Sequence, residues 1–249
     1  MITDSFDDRT QTLIRLEDFY GEQAHLADSC LLIFSHRLHD ELLRSRPCRR
    51  IAVIGSANGE TPVYAFEHFG RPLAFYLSPI GSTMAAQFCI EANWVCGATR
   101  FILFGSAGSL DAEKTAGRFI LPTEAYRDEG MSYHYAPPAD YIAVPGHRTV
   151  AALFRSLGVP FAEGRVWTTD AFLRETAGQV ARRRAEGCLA VEMELAGVQA
   201  VCDFHGFSLY AFLETGDSFS ADGYTPEGLA EANHSTLKLQ LALELARRI

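Results

Sequence analysis

The segment Val191-Glu192-Met193-Glu194 places two carboxylates, separated by one residue, where an apolar run gives way to a helical pattern. Burying a carboxylate at a strand end is costly unless something pairs with it. An ionised carboxylate only accepts hydrogen bonds, so it can take two hydroxyl donors at once. A vicinal diol, such as the 2′,3′-hydroxyls of ribose, supplies that pair. The same charge favours positive character developing at a sugar anomeric carbon. The competing reading is a solvated helix start, because acidic residues favour the first turn.

Three small-residue loops follow predicted strands: Gly55-Ser56-Ala57-Asn58-Gly59, Pro79-Ile80-Gly81-Ser82-Thr83 and Gly105-Ser106-Ala107-Gly108-Ser109. None matches the dinucleotide fingerprint or the P-loop, and Ser106 lacks the flanking glycines of a hydrolase elbow. Backbone N–H groups and a hydroxyl at a strand end can cradle an oxyanion; the alternative is a tight turn of small residues.

The elements that must position these groups are short apolar runs alternating with helical patterns. Strands are predicted at Cys30–Phe34, Ile51–Ile54, Leu73–Leu77, Phe101–Phe104, Phe119–Pro122, Gly164–Trp167, Leu189–Val191 and Leu209–Leu213. Several are continuous hydrophobic runs, as expected of strands covered on both faces. Helices are predicted at Arg37–Ser45, Met84–Cys96, His147–Leu157, Gly178–Glu186, Leu195–His205 and Glu227–Arg248. This alternation predicts an α/β fold on a largely parallel or mixed sheet. Residues 1–28 read as an irregular arm and 29–249 as one domain, with Met131–Pro145 as a long ordered loop.

The chain has 249 residues, 48% hydrophobic and 21% charged, which suits a soluble globular protein with a sizeable core. Its net charge of −9 argues against nucleic acid as a partner. It does not argue against a small anion, which needs only a few local donors. No apolar run approaches a membrane span, and the acidic start is unlike a signal peptide. The six cysteines form no Cys-x-x-Cys pair and read as buried thiols in a reducing cytoplasm. His36 and His39 read as an exposed helical pair, with no metal. Arg182-Arg183-Arg184 reads as a solvated helix face.

The glycine loops in this order with Glu-Met-Glu resemble the nucleoside phosphorylase superfamily, the branch with uridine phosphorylase, hexameric purine nucleoside phosphorylase and the methylthioadenosine nucleosidases. The resemblance runs from about Cys30 to the C-terminus. It is carried by Gly105-Ser106-Ala107-Gly108, Asp128-Glu129-Gly130-Met131-Ser132-Tyr133-His134-Tyr135, Thr168-Thr169-Asp170-Ala171-Phe172, Val191-Glu192-Met193-Glu194 and Gly216-Asp217. It implies a three-layer fold, a partly barrel-like mixed sheet flanked by helices, and phosphorolysis of a purine or uridine-like nucleoside to free base and ribose 1-phosphate. Glu194 is then expected to hold the ribose hydroxyls, with Met193 on the sugar and Glu192 in support. Phe172 stacks on the base, and Asp217 is the general acid toward the leaving base. Gly81, Gly105, Ser106 and Arg37 line the phosphate site. No cofactor is implied beyond inorganic phosphate as co-substrate, and the expected state is a homo-oligomer, dimer or hexamer.

Three features depart from that family. An arginine usual just before Gly105 is replaced by Leu103-Phe104, and a second, near Asn58 and donated across a subunit interface, has no counterpart. The first phosphate loop reads Phe34-Ser35-His36-Arg37, leaving Arg37 as its one base. Each lost charge-assisted bond is worth about 1.5–3 kcal/mol, so phosphate affinity should suffer unless Arg174, Arg127 or another base substitutes. Otherwise water is the nucleophile, as in a nucleoside hydrolase, with Glu60 as a candidate base. A nucleoside-binding protein without chemistry is a third reading. A nicotinamide-dependent dehydrogenase lacks its Gly-x-Gly-x-x-Gly. The Ser132–Tyr135 pattern resembles uridine members and Asp217 the purine members, so the base stays open.

Overall fold

The structure is a computed structural model describing residues 1–220 and 223–249. Its strands are β1 (Ser29–Ile33), β2 (Arg49–Ser56), β3 (Gly59–His68), β4 (Arg71–Leu77), β5 (Arg100–Ser109), β6 (Phe119–Asp128), β7 (Tyr141–Ala143), β8 (Phe161–Thr169), β9 (Cys188–Glu192), β10 (Ser208–Ser220) and β11 (Gly223–Thr225). They form one mixed sheet in the order β11-β10-β6-β8-β9-β5-β1-β4-β3-β2, with β7 beside β6. An additional parallel pairing of β10 with β5 closes β10, β6, β8, β9 and β5 into a five-stranded ring. The rest of the sheet extends from β5 through β1, parallel to both β5 and β4.

Every residue of β1 is buried, and the strand alternates between two cores. Cys30 and Leu32 meet the helices Ser82–Cys96 and Leu195–His205, whose Ala, Cys and Val residues share that cluster. Leu31 and Ile33 face Leu38, Phe154 and Leu245, which come from helices His36–Ser45, His147–Leu157 and Thr236–Arg248. The period-2 alternation of side chains thus makes one strand the middle of three layers. Five cysteines are buried and Cys48 is half-buried, all as free thiols. Among the described residues no helix is long and apolar enough to cross a membrane.

All eight predicted strands are present. Strand β3 was not expected, because its charges and Pro62 break the apolar pattern; it is antiparallel to β2 and β4. The expected loop Met131–Pro145 carries a helical turn at Ser132–Tyr135 and strand β7. The predicted last helix, Glu227–Arg248, is two: Leu229–Asn233 and Thr236–Arg248. His39 packs edge-on against Tyr64 and Phe75 and is half-buried, while His36 is exposed. The N-terminal segment carries a short helix, Glu17–Tyr20, and is tied down by Tyr20, whose hydroxyl donates to Glu91 Oε2 at 2.8 Å.

Candidate functional site

Closure of the five-stranded ring brings the ends of β5, β9 and β10 around one cavity of about 550 Å³. Strand β5 contributes Leu103 and Gly105–Gly108, β9 and the turn after it contribute Val191–Glu194, and β10 contributes Leu213, Asp217 and Phe219. Pairing of β10 with β5 is regular to Thr215 and resumes at Ser218. Gly216 and Asp217 fall in that irregularity, and a bulge of this kind re-aims a side chain. A Cβ on Gly108 would lie 3.0 Å from Phe219, 3.1 Å from Val191 and 3.3 Å from Asp217 Oδ2. A side chain at 108 would require Phe219, Val191 and the Asp217 carboxyl to give by a few tenths of an ångström.

The two glutamates divide their work. Glu192 is buried and its Oε2 accepts from the backbone N–H groups of Glu194 (2.8 Å) and Leu195 (2.7 Å). That satisfies donors at the start of helix Leu195–His205. Its Oε1 accepts from the Thr168 hydroxyl, and Thr168 Oγ1 accepts from Ala196 N–H at 3.1 Å. Glu194 is half-buried on the cavity side; its Oε1 accepts from Gly81 N–H at 2.7 Å and its Oε2 from Met193 N–H at 3.3 Å. Gly81 donates from a backbone with φ 102, a conformation that favours glycine. Burial pushes both carboxyls above the ordinary glutamate range, and the charge of Glu194 adds to the shift on Glu192. One is a cap; the other faces the cavity with acceptor capacity left.

Phe172 sits on a 3-10 turn at the cavity wall, 57% exposed, so it is a rim residue and not part of the core. Beside it, Glu175 lines the same cavity, a residue sequence reasoning missed. Burial, and then the charge of Asp217, push its carboxyl up to about 7. Tyr224 closes this acidic end; burial and the charges of Asp217 and Glu175 raise its hydroxyl. At the opposite wall the Ser106 hydroxyl donates to Asn233 Oδ1. Asn233 opens the run Asn233-His234-Ser235-Thr236, weak helix formers that mark the break which the prediction of one continuous helix passes over.

Seven of the nine residues singled out from the sequence therefore share the cavity: Gly105, Ser106, Phe172, Glu192, Met193, Glu194 and Asp217. Gly81 reaches it only through Glu194, and Arg37 is exposed on helix His36–Ser45, near His234. Leu103, at the place of the family arginine, makes its wall apolar. The proposed substitutes do not line the cavity. Arg127 is buried and spends its donors on Ser132 Oγ (2.8 Å), the Pro137 carbonyl (2.6 Å) and the Ala136 carbonyl (3.3 Å). Arg174 is exposed, and Glu60 is exposed on β3. The Asp128–Tyr135 motif is a brace: Glu129 accepts from Ser82 Oγ and Ser132 N–H, and Tyr135 packs on Phe204 of helix Leu195–His205.

A family model described as the phosphorylase superfamily matches residues 32–246. A guanosine phosphorylase from Halorubrum lacusprofundi is 29% identical over 147 residues, 58% of this chain and 60% of that protein's length. A DeoD-type purine nucleoside phosphorylase from Colwellia psychrerythraea is 26% identical over 199 residues, 79% of this chain and 75% of that protein. Another DeoD-type enzyme, from Alkaliphilus metalliredigens, is 28% identical over 158 residues, 60% of this chain and 65% of that protein.

Proposed function

The chain belongs to the phosphorylase superfamily, and from that premise we propose that it is a nucleoside phosphorylase. The observation that carries this is one cavity holding a diol acceptor (Glu194), an exposed aromatic face (Phe172), an acid (Asp217) and a hydroxyl beside backbone amides (Ser106). A nucleoside lies with its ribose hydroxyls on Glu194 and its base against Phe172. A phosphate oxygen, received by Ser106 and the β5 amides, attacks C1′ as the C1′–N bond breaks. The bond's electron pair passes to the base, which takes, through Asp217, the proton that the Asp217–Glu175 pair holds. Glu175, held up to about 7, carries that proton in part of the population at neutral pH. The charge of Glu194 favours the oxocarbenium character at C1′. Glu192 acts through Glu194 by fixing the turn that carries it.

Two acidic groups at the base end favour a purine, whose ring nitrogens offer both a protonation site and N–H donors; the names of the relatives agree. The co-substrate is inorganic phosphate, with no further cofactor. The protein acts as a homo-oligomer, dimer or hexamer, in the cytoplasm, without nucleic-acid or membrane partners. A stable active monomer in sedimentation would refute the oligomer. The deciding measurement for the reaction is base release against phosphate concentration over a panel of purine and pyrimidine nucleosides. Phosphorolysis requires saturable phosphate dependence and ribose 1-phosphate as product. Hydrolysis is the second reading, favoured by the apolar Leu103 in place of an arginine; turnover indifferent to phosphate, with free ribose as product, would establish it.

A further inference from the structure

Behind Ser106 a small second cavity, of about 20 Å³, adjoins the large one. Phe34, Gly105, Ser106 and Asn233 wall both, so the Ser106–Asn233 hydrogen bond stands between them. The far wall of the small cavity is Lys238, only 1% exposed. Among the described residues its ammonium makes no hydrogen bond or ion pair. Burying a cation without a hydrogen-bonded partner is costly; the charge of Glu214 acts on it without forming an ion pair, so the position still favours an anion.

The groups around it come from three elements. Glu214 of β10 is the facing opposite charge, and its Oε2 is buried without a hydrogen-bond partner. His234, in the turn before helix Thr236–Arg248, bonds to Ser35 Oγ at 2.7 Å. Partial burial, and then the nearby Arg37, His36 and Lys238, hold His234 toward its neutral form. Arg37 on helix His36–Ser45 is the other permanent cation nearby. Burial lowers Lys238 to about 8 against the pull of Glu214, which leaves it charged at neutral pH.

We propose that Lys238 is the buried cation of the oxyanion subsite, presenting its ammonium to the phosphate that Ser106 and the β5 amides receive. This rests on the phosphorolytic reading of the cavity. When the Ser106–Asn233 bond opens, the serine hydroxyl is freed for the anion and the two cavities join. Lysine suits this position, being a point charge on a flexible stem. It takes over the work of an arginine at the position of Leu103, from a helix instead of a strand.

The test compares wild type, Lys238→Met, Lys238→Arg and Glu214→Gln. Initial rates are measured against phosphate and against nucleoside, with melting scans in phosphate alone. Lys238→Met is expected to raise the phosphate KM by about tenfold or more, with the nucleoside KM changed by less than about twofold. It also loses the stabilisation that phosphate gives wild type, and Lys238→Arg restores most of both. In wild type the phosphate KM rises above about pH 8, where phosphate is already the dianion. In Glu214→Gln the rise begins at lower pH, because the charge of Glu214 helps hold the lysine proton. A phosphate KM and phosphate-induced melting shift unchanged in Lys238→Met would overturn the proposal. If that variant does not fold, an unmoved pH limb in Glu214→Gln overturns it instead. Wild-type turnover indifferent to phosphate, with free ribose as product, is the separate failure of the phosphorolytic reading and takes this inference with it.

Discussion

Substituting Glu194 by glutamine tests the ribose assignment directly. The wild-type carboxylate already accepts from Gly81 N–H at 2.7 Å and Met193 N–H at 3.3 Å, so its orientation is fixed before substrate arrives. A glutamine has the same shape but only one acceptor oxygen and no charge. Two hydroxyl donors to a carboxylate are charge-assisted bonds of about 1.5–3 kcal/mol each. Keeping one as a neutral bond and losing the other should cost about 2–3 kcal/mol, or roughly 30- to 160-fold in kcat/KM. The assay is a cycle of two enzymes against two substrates, a ribonucleoside and its 2′,3′-dideoxy analogue. Expected is the full loss with the ribonucleoside and a loss under about threefold with the analogue. Equal losses with both would refute the diol assignment. Stability supplies a control whose sign is opposite to a folding defect. Burial raises the folded pKa of Glu194 above the ordinary 4.5, so the folded state binds more protons there than the unfolded chain. Wild-type stability is therefore lost as pH rises above that value, and Glu194→Gln should lose less.

The remaining expectations concern the acid end and the brace. Asp217→Asn is expected to slow purine release by roughly 100-fold, yet change cleavage of a 4-nitrophenyl riboside, whose leaving group needs no proton, by less than about fivefold; equal slowing would remove the acid role. Glu175→Gln should displace the fall in rate that wild type shows as pH rises through about 7. Because its folded pKa is raised, the Glu175 contribution to stability is present at pH below 4.5 and lost toward pH 7, so melting of the variant should fall less across that window. Arg127→Ala strands the Pro137 and Ala136 carbonyls and should destabilise by about 3 kcal/mol, while the phosphate KM stays at its wild-type value. A raised phosphate KM in that variant would return Arg127 to the anion site.

How much of this was legible in the sequence depended on how local the cause was. Strands β1, β5 and β9 were readable because burial on both faces forces an unbroken apolar run. Strand β3 was not, since Glu60, Glu67 and Pro62 follow its partly exposed pairing on the outer part of the sheet. The residues that meet in the cavity were readable as motifs, but their meeting was not. Gly108 meets Val191 through the pairing of β5 with β9, and Asp217 joins them because β10 pairs with β5 and closes the ring. Glu175 escaped notice because its neighbour Asp217 is remote in sequence and its own surroundings are polar.

The final helix shows where periodicity misleads, and why. From Glu227 to Arg248 the sequence has good helix formers on either side of Asn233-His234-Ser235-Thr236, and a prediction that follows the period runs the helix through these weaker residues. The break falls at His234 and Ser235, directly after Asn233, and two side chains here have partners elsewhere: Asn233 accepts from the Ser106 hydroxyl and His234 bonds Ser35. Local preference yields to the site, as expected where a fold and a function compete. The same break resets the phase of the helix that follows. Lys238, which in a surface helix would point to water, turns inward beside Gly105 and Ser106 with Leu239 and Leu241 in the core. Lys238 shares the buried face of Thr236–Arg248 with Leu241, Ala242 and Leu245 at helical spacing, so the period of that helix itself carries the cation inward.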